Sequence, residues 1–224
     1  LRGDVWRLLL GYMPAHKERR RVVLCRKRQE YHAHVRRYFG GEELEVVRSD
    51  GEQSMLRQIL KDVNRTGDGV PLVRCEAVQR ALERLLYIWA VRHPAAGYVQ
   101  GLNDVALPFL AAFCFSDLGV DLTQSVEDGE GLREVEADVF WCLSRMLDSV
   151  QDWYTVGQPG LHRQVHRLQD VITRLDKPLA DHLEHIGVRP IQFAARWVNC
   201  LLVRELPLPL AVRLWDSYVA EGAA

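Results

Sequence analysis

Along almost the whole chain, apolar residues recur at spacings of three and four, and few stretches alternate apolar with polar residues. The clearest case is the series Leu161, Val165, Leu168, Ile172 and Leu175. This spacing places the apolar side chains on one face of an α-helix, because a helix turns once every ~3.6 residues. The sequence therefore predicts an all-α fold that contains many helices.

Turn and cap residues divide this pattern into separate predicted helices. The helix of residues 15–39 is basic and amphipathic, and Gly40 and Gly41 end it. Another helix ends near Arg65, which leaves that side chain at an element boundary. The apolar segment 105–115 is predicted to be a buried helix, since it is far too short to span a membrane. The other predicted helices cover about residues 76–93, 135–150, 161–175, 178–187, 193–206 and 210–219.

Residues 116–131 are polar, acidic and rich in glycine, which is typical of a mobile loop. We expect this loop to separate an amino-terminal lobe of residues 1–115 from a carboxy-terminal lobe of residues 132–224. Charge is also segregated along the chain, because residues 1–40 are rich in lysine and arginine while residues 117–138 are rich in aspartate and glutamate.

Composition narrows the classes of function. The chain has 224 residues and a net charge of −1, so its overall charge favours neither a nucleic acid nor a basic partner. Its five cysteines are dispersed without a Cys-x-x-Cys pair, which indicates neither a disulfide framework nor a zinc ribbon and favours a reducing, intracellular compartment. No apolar run reaches the roughly 18 residues of a membrane span, so we expect no integral membrane segment.

Motifs for unaided chemistry are missing from the sequence. It contains no phosphate-binding loop, no dinucleotide-binding glycine pattern, and neither His-Glu-x-x-His nor Gly-x-Ser-x-Gly. His162 and His166 are spaced to share a helix face, but they lie among arginines and a glutamine, so a solvated polar face is the simpler interpretation. The same holds for His182 and His185. We expect no metal site and no cofactor of the chain's own.

Two short constellations remain as candidates for function. The first is Ile-Leu-Lys-Asp-Val-Asn-Arg at residues 59–65, and the second is Tyr-Val-Gln-Gly at residues 98–101. Taken alone, an arginine at a helix end is usually a cap or a surface charge, and a glutamine in a glycine-flanked turn is usually structural. The amide of Gln100 is a neutral donor and acceptor that cannot act as a general base, so any chemistry there must be positioning.

Together these constellations resemble the TBC-domain family of GTPase-activating proteins that act on Rab GTPases. The family motifs are Arg-x-x-x-Trp, Ile-x-x-Asp-x-x-Arg and Tyr-x-Gln-Gly. The chain carries them in that order, as Arg2 with Trp6, then at residues 59–65, then at residues 98–101. We interpret Arg2 and Trp6 as structural, as an aromatic anchor and its cationic neighbour in the amino-terminal lobe.

The resemblance spans essentially the whole chain. Its later elements are Arg-Trp at residues 196–197, Leu-Pro at residues 206–207 and Arg-Leu-Trp-Asp at residues 213–216. It implies a two-lobed, multi-helix domain, and because family domains usually continue after the last element, we expect carboxy-terminal helices to be missing. Residues 8–14 and 27–35 are similar to the subgroup called TBC domain family member 22.

The resemblance also implies an activity. A TBC domain is a GTPase activator that accelerates GTP hydrolysis by a partner Rab GTPase without turning over a substrate of its own. GTP and Mg²⁺ are then carried by the partner. By this resemblance Arg65 is an arginine finger, and Gln100 is a glutamine finger that positions the attacking water. Such a domain belongs to vesicle trafficking and is expected in the cytoplasm, peripheral to endomembranes through its partner Rab.

Neighbouring motif residues receive supporting roles from the same resemblance. Asp62 lies one helical turn before Arg65, where its carboxylate is expected to orient the guanidinium. Tyr98 is expected to pack and fix the loop, and Gly101 permits close approach of the backbone to the partner. Ile59 completes the first motif as a supporting apolar residue.

Two other interpretations stay open. Some proteins with this fold lack working fingers, so the alternative is a catalytically inactive helical module that binds Rabs or acts as a scaffold. The presence of both finger residues favours activity. The basic helix of residues 15–39 is also a candidate site for anionic lipid or an acidic partner. A solvated face is the simpler interpretation there, because the apolar stripe of the helix is needed for the core.

Overall fold

The structure, a computed structural model, describes residues 1–40 and 48–222. Within these residues it contains helices and turns but no β-strand, so the all-α prediction is confirmed. The α-helices are α1 (Arg2–Leu9), α2 (Lys17–Phe39), α3 (Asp50–Arg65), α4 (Pro71–Arg74), α5 (Glu76–Arg92), α6 (Leu102–Phe113), α7 (Glu130–Ser149), α8 (Pro159–Leu175), α9 (Lys177–His185), α10 (Ile191–Asn199) and α11 (Leu208–Glu221). A π-helical turn at Cys114–Leu118 extends α6, and 3₁₀ turns lie at Gln151–Trp153 and Val203–Glu205. None of the helices in the described stretches is both long and apolar enough to cross a membrane.

Local capping sets where several helices begin and end. Ser49 precedes α3, and its hydroxyl accepts a hydrogen bond from the Glu52 amide while the Glu52 carboxylate accepts one from the Ser49 amide. An amino-terminal cap of this kind typically contributes about 1 kcal/mol to stability. Asp176 caps α9 as predicted, since its carboxylate accepts a hydrogen bond from the Leu179 amide at 3.0 Å. At its other end α3 stops at Arg65, also as predicted.

The basic helix α2 presents its apolar stripe to the core. Tyr31 is fully buried, and Leu24 and Val35 are partly buried against the core. Gly40 ends the helix with φ of 77°, a left-handed value that glycine adopts at little cost. Gly41, the second residue of the predicted stop signal, lies outside the described residues.

The main hydrophobic core surrounds α6, which is buried along almost its whole length. Helices α5, α7 and α11 pack against α6, and α3 packs on α5. This core continues across residues 116–131, because α7 follows that segment and packs on α5 and α6, which precede it. The two lobes, residues 1–115 and 132–224, and the mobility of the segment between them stay predictions. Helix α7 begins at Glu130, so the last two residues of the segment are helical.

A smaller cluster joins α8 to α10. Its buried members are Leu161, Val165 and Ala194. Farther along the chain, apolar side chains at the ends of α8 and α9 are exposed to solvent: Leu175 is 83% exposed and Ile186 is 51% exposed. The helices predicted at residues 161–175 and 178–187 are confirmed, whereas the helix predicted at 193–206 is too long, because α10 ends at Asn199 and the backbone of Leu201 and Leu202 has positive φ. Only the first part of the stripe is buried within the part of the chain that the structure describes.

The first of two buried carboxylates on α7 belongs to Asp138. It is fully buried and accepts hydrogen bonds from the Tyr12 hydroxyl at 2.6 Å and from the Arg28 guanidinium at 2.9 and 2.8 Å. The Arg7 guanidinium, itself 3% exposed, lies 2.8 Å from the same carboxylate. A buried charge is tolerated only when it is paired and hydrogen-bonded, so this cluster fixes α1 and α2 on α7.

The second buried carboxylate belongs to Glu136. The Arg84 guanidinium donates two hydrogen bonds to it at 2.9 and 2.6 Å, and the Tyr31 hydroxyl donates another at 2.5 Å. Burial raises the pKa of Glu136, while the hydrogen bonds and charge of Arg84 oppose that shift. The result is a polar link between α2, α5 and α7 inside an otherwise apolar core.

Candidate functional site

A cavity of about 630 Å³ brings the two predicted constellations together. Arg65, the last residue of α3, lines it together with Gln100 from the turn before α6. Asp104 from the first turn of α6 also faces this space. Much of the apolar lining comes from Val203 and residues 206–209, around the start of α11. The fold thus places a cation and a neutral amide at one site.

The carboxylate of Asp62 contacts three side chains of the site and connects them. Its side chain is fully buried, and its carboxylate binds the Arg65 guanidinium, which is 58% exposed. The same carboxylate accepts hydrogen bonds from the Tyr98 hydroxyl at 2.9 Å and from the Gln58 amide at 3.1 Å. One carboxylate therefore links the end of α3 to the turn that carries Gln100, and it holds the arginine at the position that the sequence predicts.

The turn before α6 depends on glycine. Gly97 has φ of 64° and Gly101 has φ of 112°, both in the left-handed region that favours glycine. A Cβ at Gly101 would lie 3.0 Å from the Cys200 sulfur, so the close approach that this glycine permits is to a residue of the same chain. Its approach to a partner stays a prediction. Gln100 itself is exposed, and its side-chain amide has no hydrogen-bond partner among the described residues.

Two residues that sequence reasoning missed complete the support. Asn103, which is 4% exposed, accepts a hydrogen bond from the Gly101 amide at 3.1 Å and donates one to the Thr66 hydroxyl at 2.8 Å. Thr66 in turn donates to the carbonyl oxygen of Asp62 at 2.6 Å. The sequence signal that could have identified Asn103 as a support of the turn is its position, a polar residue at the start of an otherwise apolar helix. The network fixes the turn on the end of α3.

The remaining motif residues lie in the core and at an interhelical contact. Ile59 is fully buried in the main core. Trp6 is 1% exposed, and its indole nitrogen donates to Asp216 on α11 at 2.9 Å. Arg2 donates two hydrogen bonds to the same carboxylate, at 2.9 and 3.1 Å. Arg2 and Trp6 thus join α1 to α11, so their contact reaches the carboxy-terminal part of the chain and is not confined to the amino-terminal lobe, as the sequence interpretation had it.

Asp104 and Arg204 add a second pair of charges that the sequence did not indicate. The Asp104 carboxylate lies 3.9 Å from the Arg204 guanidinium, and both residues line the cavity. Burial raises the pKa of Asp104 to about 6, and the positive charges of Arg204 and Arg65 oppose the shift. Arg204 lies far from both motifs in sequence, so only the fold brings it to this site.

The chemistry available at the cavity follows from these groups. Two guanidiniums and one amide can bind oxygen atoms of an anionic group on a partner, and the planar fork of arginine suits phosphate oxygens in particular. No group of three histidine, cysteine, aspartate or glutamate residues within residues 1–40 and 48–222 is placed to hold a metal ion. His162 and His166 lie on α8, both exposed.

Replacing Asp104 with asparagine is expected to stabilise the domain at neutral pH. Because the pKa of Asp104 rises from 3.8 to about 6 on folding, the folded state holds the proton more tightly, and the free energy of unfolding falls as pH rises through that window. Asparagine carries no charge to bury, so the free energy of unfolding of the Asp104→Asn variant should exceed that of the wild type by up to about 3 kcal/mol at pH 7.5. Below pH ~4 the two should differ little. Urea unfolding at both pH values measures the difference.

The control for this prediction is Asp148→Asn, which changes an exposed carboxyl on α7. As an exposed surface substitution, it should change the free energy of unfolding by less than about 0.5 kcal/mol at either pH. A wild-type domain that is as stable as Asp104→Asn at pH 7.5 contradicts the prediction.

The sequence of this chain matches the family model of the Rab-GTPase-TBC domain over residues 1–224. TBC1 domain family member 22B of Homo sapiens is 43% identical over 226 residues, which cover 99% of this chain and 43% of that protein. The GTPase-activating protein gyp1 of Schizosaccharomyces pombe is also 43% identical, over 99% of this chain and 43% of that protein. The chain thus spans less than half the length of these relatives.

The fold agrees with a solved relative. The crystal structure of the Ypt/Rab-GAP domain of Gyp1p matches with a TM-score of 0.90 at 38% identity, covering 98% of this chain and 69% of that chain. The motif order, the helical fold and the match along the whole sequence all indicate one family. This chain belongs to the Rab-GTPase-TBC domain family.

Proposed function

We propose that this domain accelerates GTP hydrolysis by a Rab-family GTPase, with Arg65 and Gln100 inserted beside the γ-phosphate of the GTP that the partner holds. The observation that supports this most directly is an exposed guanidinium and an exposed amide at one cavity. The names of two relatives, a GTPase-activating protein and a Ypt/Rab-GAP domain, support the same activity.

Arg65 suits the role of the cation. GTP hydrolysis spreads negative charge over phosphate oxygens in the transition state, so a positive group placed there lowers the barrier. The guanidinium of Arg65 is bound by Asp62 through one nitrogen, and its other N–H groups have no partner among the described residues. Because the buried carboxylate already limits its motion, little conformational freedom remains to be lost on binding.

Gln100 suits the role of the positioning group. Its amide can donate a hydrogen bond to a phosphate oxygen and accept one from the attacking water, but it cannot take the proton. The backbone that carries it is held by Asn103 and by the tight packing of Gly101 on Cys200. We propose that this amide, carried on a held backbone, orients the water for attack.

GTP and Mg²⁺ come to the site with the partner in this proposal. The sequence of the domain has no phosphate-binding loop, so the nucleotide contacts are assigned to the GTPase. There the Mg²⁺ ion neutralises part of the phosphate charge, and Arg65 adds to that effect from the other molecule. Since the proposed partner is a Rab, the domain would act in vesicle trafficking, in the cytoplasm and peripheral to endomembranes.

The experiment that tests this function is single-turnover GTP hydrolysis by a panel of purified Rabs, with and without the domain. Acceleration of at least one Rab supports the proposal and identifies the substrate. If no Rab is accelerated but one binds the domain in its GTP form, the catalytically inactive scaffold replaces the proposed function.

Gln100→Ala is expected to lower the acceleration by about 10²-fold to 10³-fold, the range seen when one preorganised hydrogen-bonding group is removed from a transition state. Single-turnover hydrolysis with the accelerated Rab measures the loss. Gln169→Ala is the matched control, because Gln169 is exposed on α8 and does not line the cavity. Equal rates for the Gln100→Ala variant and its control would remove Gln100 from the mechanism.

A further inference from the structure

A second groove lies between α2 and the first turns of α7, apart from the cavity that holds Arg65. Its volume is about 770 Å³, and it shares no lining residue with that cavity. Leu24 and Val35 of α2 contribute apolar surface to it. The groove therefore lies on a different surface, and none of its residues takes part in the proposed acceleration of GTP hydrolysis.

Positive charge is in excess in this groove, because four arginines and two glutamates, Glu130 and Glu134, line it. Arg21 and Arg36 of α2 line it, and neither has a carboxylate within 4.0 Å among residues 1–40 and 48–222. Arg28 is different, because Asp138 and Glu134 neutralise it at 2.8 and 2.5 Å. The charges of Arg21 and Arg36 are therefore available to a ligand, at the two ends of the stretch of α2 that lines the groove.

Helix α7 adds to the positive charge. Arg133 lines the groove and lies 3.8 Å from Asp128, a contact between two half-exposed side chains that is worth little. His32 lines the groove too, and burial, followed by the charges of Arg133 and Arg36, lowers its pKa. That direction agrees with a positive potential inside the groove.

The length of the groove favours a polypeptide over a small anion. Arg21 and Arg36 are 15 positions apart, which corresponds to about 22 Å along a helix axis. An extended peptide of about seven residues covers this distance, whereas a single phosphate or lipid headgroup reaches only one end of it. Leu24 and Val35 are partly buried against the core, and the apolar surface that they leave open lies inside the groove. Val22 is the exposed large apolar side chain on the outside of this helix, so α2 has no broad outer apolar face to insert into a membrane.

We propose that this groove is a docking site for an acidic polypeptide segment of a partner protein. Carboxylates of the segment pair with Arg21, Arg36 and Arg133, and its apolar side chains contact Leu24 and Val35. Charge complementarity of this kind sets the orientation and the association rate of the segment. The proposal is independent of the activity proposed for the cavity at Arg65.

The test uses a fluorescein-labelled peptide of eight residues in which pairs of glutamate alternate with pairs of leucine, so that each face of the extended peptide carries both residue types. A glutamine-for-glutamate peptide serves for comparison. Fluorescence anisotropy at low salt should show binding of the acidic peptide alone. The Arg21→Glu/Arg36→Glu variant should raise its Kd at least about tenfold. The Arg19→Glu/Arg26→Glu variant changes charge equally on the same helix but outside the groove, and it should raise the Kd less than about threefold.

A second measurement locates the binding. The NMR signal of His32, assigned with a His32→Gln variant, should show a raised pKa when the acidic peptide is bound, because nearby carboxylates favour the imidazolium form. Equal weakening by both double variants, or equal binding of the glutamine peptide, overturns the proposal. So does binding of the domain to phosphatidylserine vesicles that depends on Arg21 and Arg36 while the peptide does not bind.

Discussion

Arg65→Ala is expected to remove at least about 10³-fold of the acceleration that we propose this domain gives a partner Rab. In the proposed mechanism the exposed guanidinium at the end of α3 meets charge that develops only in the transition state, and an arginine in this role lowers the barrier by about 4 kcal/mol or more. The remaining interface is untouched, so kcat should fall while the Kd for the GTPase changes little. Single-turnover hydrolysis at saturating domain and a separate binding titration measure the two quantities.

The controls for this experiment separate catalysis from folding. Arg57→Ala removes another exposed arginine of α3 and should leave the acceleration unchanged. Asp62 keeps its hydrogen bonds from Tyr98 and Gln58 when Arg65 is replaced, so the domain should remain folded, which a thermal melt checks. A folded Arg65→Ala domain that still accelerates hydrolysis within about tenfold of wild type would exclude the arginine finger.

The elements of the fold were predictable because their causes are local. Apolar spacing fixes where a helix forms, and a nearby cap or glycine fixes where it ends, so the end of α3 at Arg65 and the cap of α9 at Asp176 could both be inferred from the sequence. The burial of α6 followed in the same way from its almost wholly apolar composition. Family motifs then placed Arg65 and Gln100 in one site, where the structure also has them line the same cavity.

The polar partners of the site were not predictable, because each pair joins residues that are distant in sequence. No local pattern distinguishes Arg204 from other surface arginines, yet it faces Asp104 across the cavity. The sequence shows that charge is segregated along the chain, but it does not show which charges pair. In the structure Arg7 and Arg28 of the basic segment pair with Asp138 of the acidic segment. Such pairs are set by tertiary packing alone.

Asp138→Ala is expected to have the largest effect on stability, about 3 to 5 kcal/mol, because it removes one partner of a buried ion cluster. Arg7 is 3% exposed and, within residues 1–40 and 48–222, would keep Asp117 and the exposed Asp4 as its counter-charges, while the buried Tyr12 hydroxyl would lose its acceptor. The free energy of unfolding of a typical domain is about 5 to 15 kcal/mol, so this variant should be close to unfolding. Urea unfolding followed by circular dichroism measures the change.

The matched control is Asp148→Ala, an exposed aspartate on the same helix, which should cost less than about 0.5 kcal/mol. The comparison decides whether the buried cluster or the loss of an acidic residue from α7 is responsible. Because Asp138 joins α1 and α2 to α7 away from the cavity, a mildly destabilised Asp138→Asn domain should retain the proposed acceleration of GTP hydrolysis at low temperature. A loss below about 1 kcal/mol for Asp138→Ala would mean that water reaches Arg7 when the carboxylate is removed, and that the cluster sets the arrangement of the helices without stabilising it.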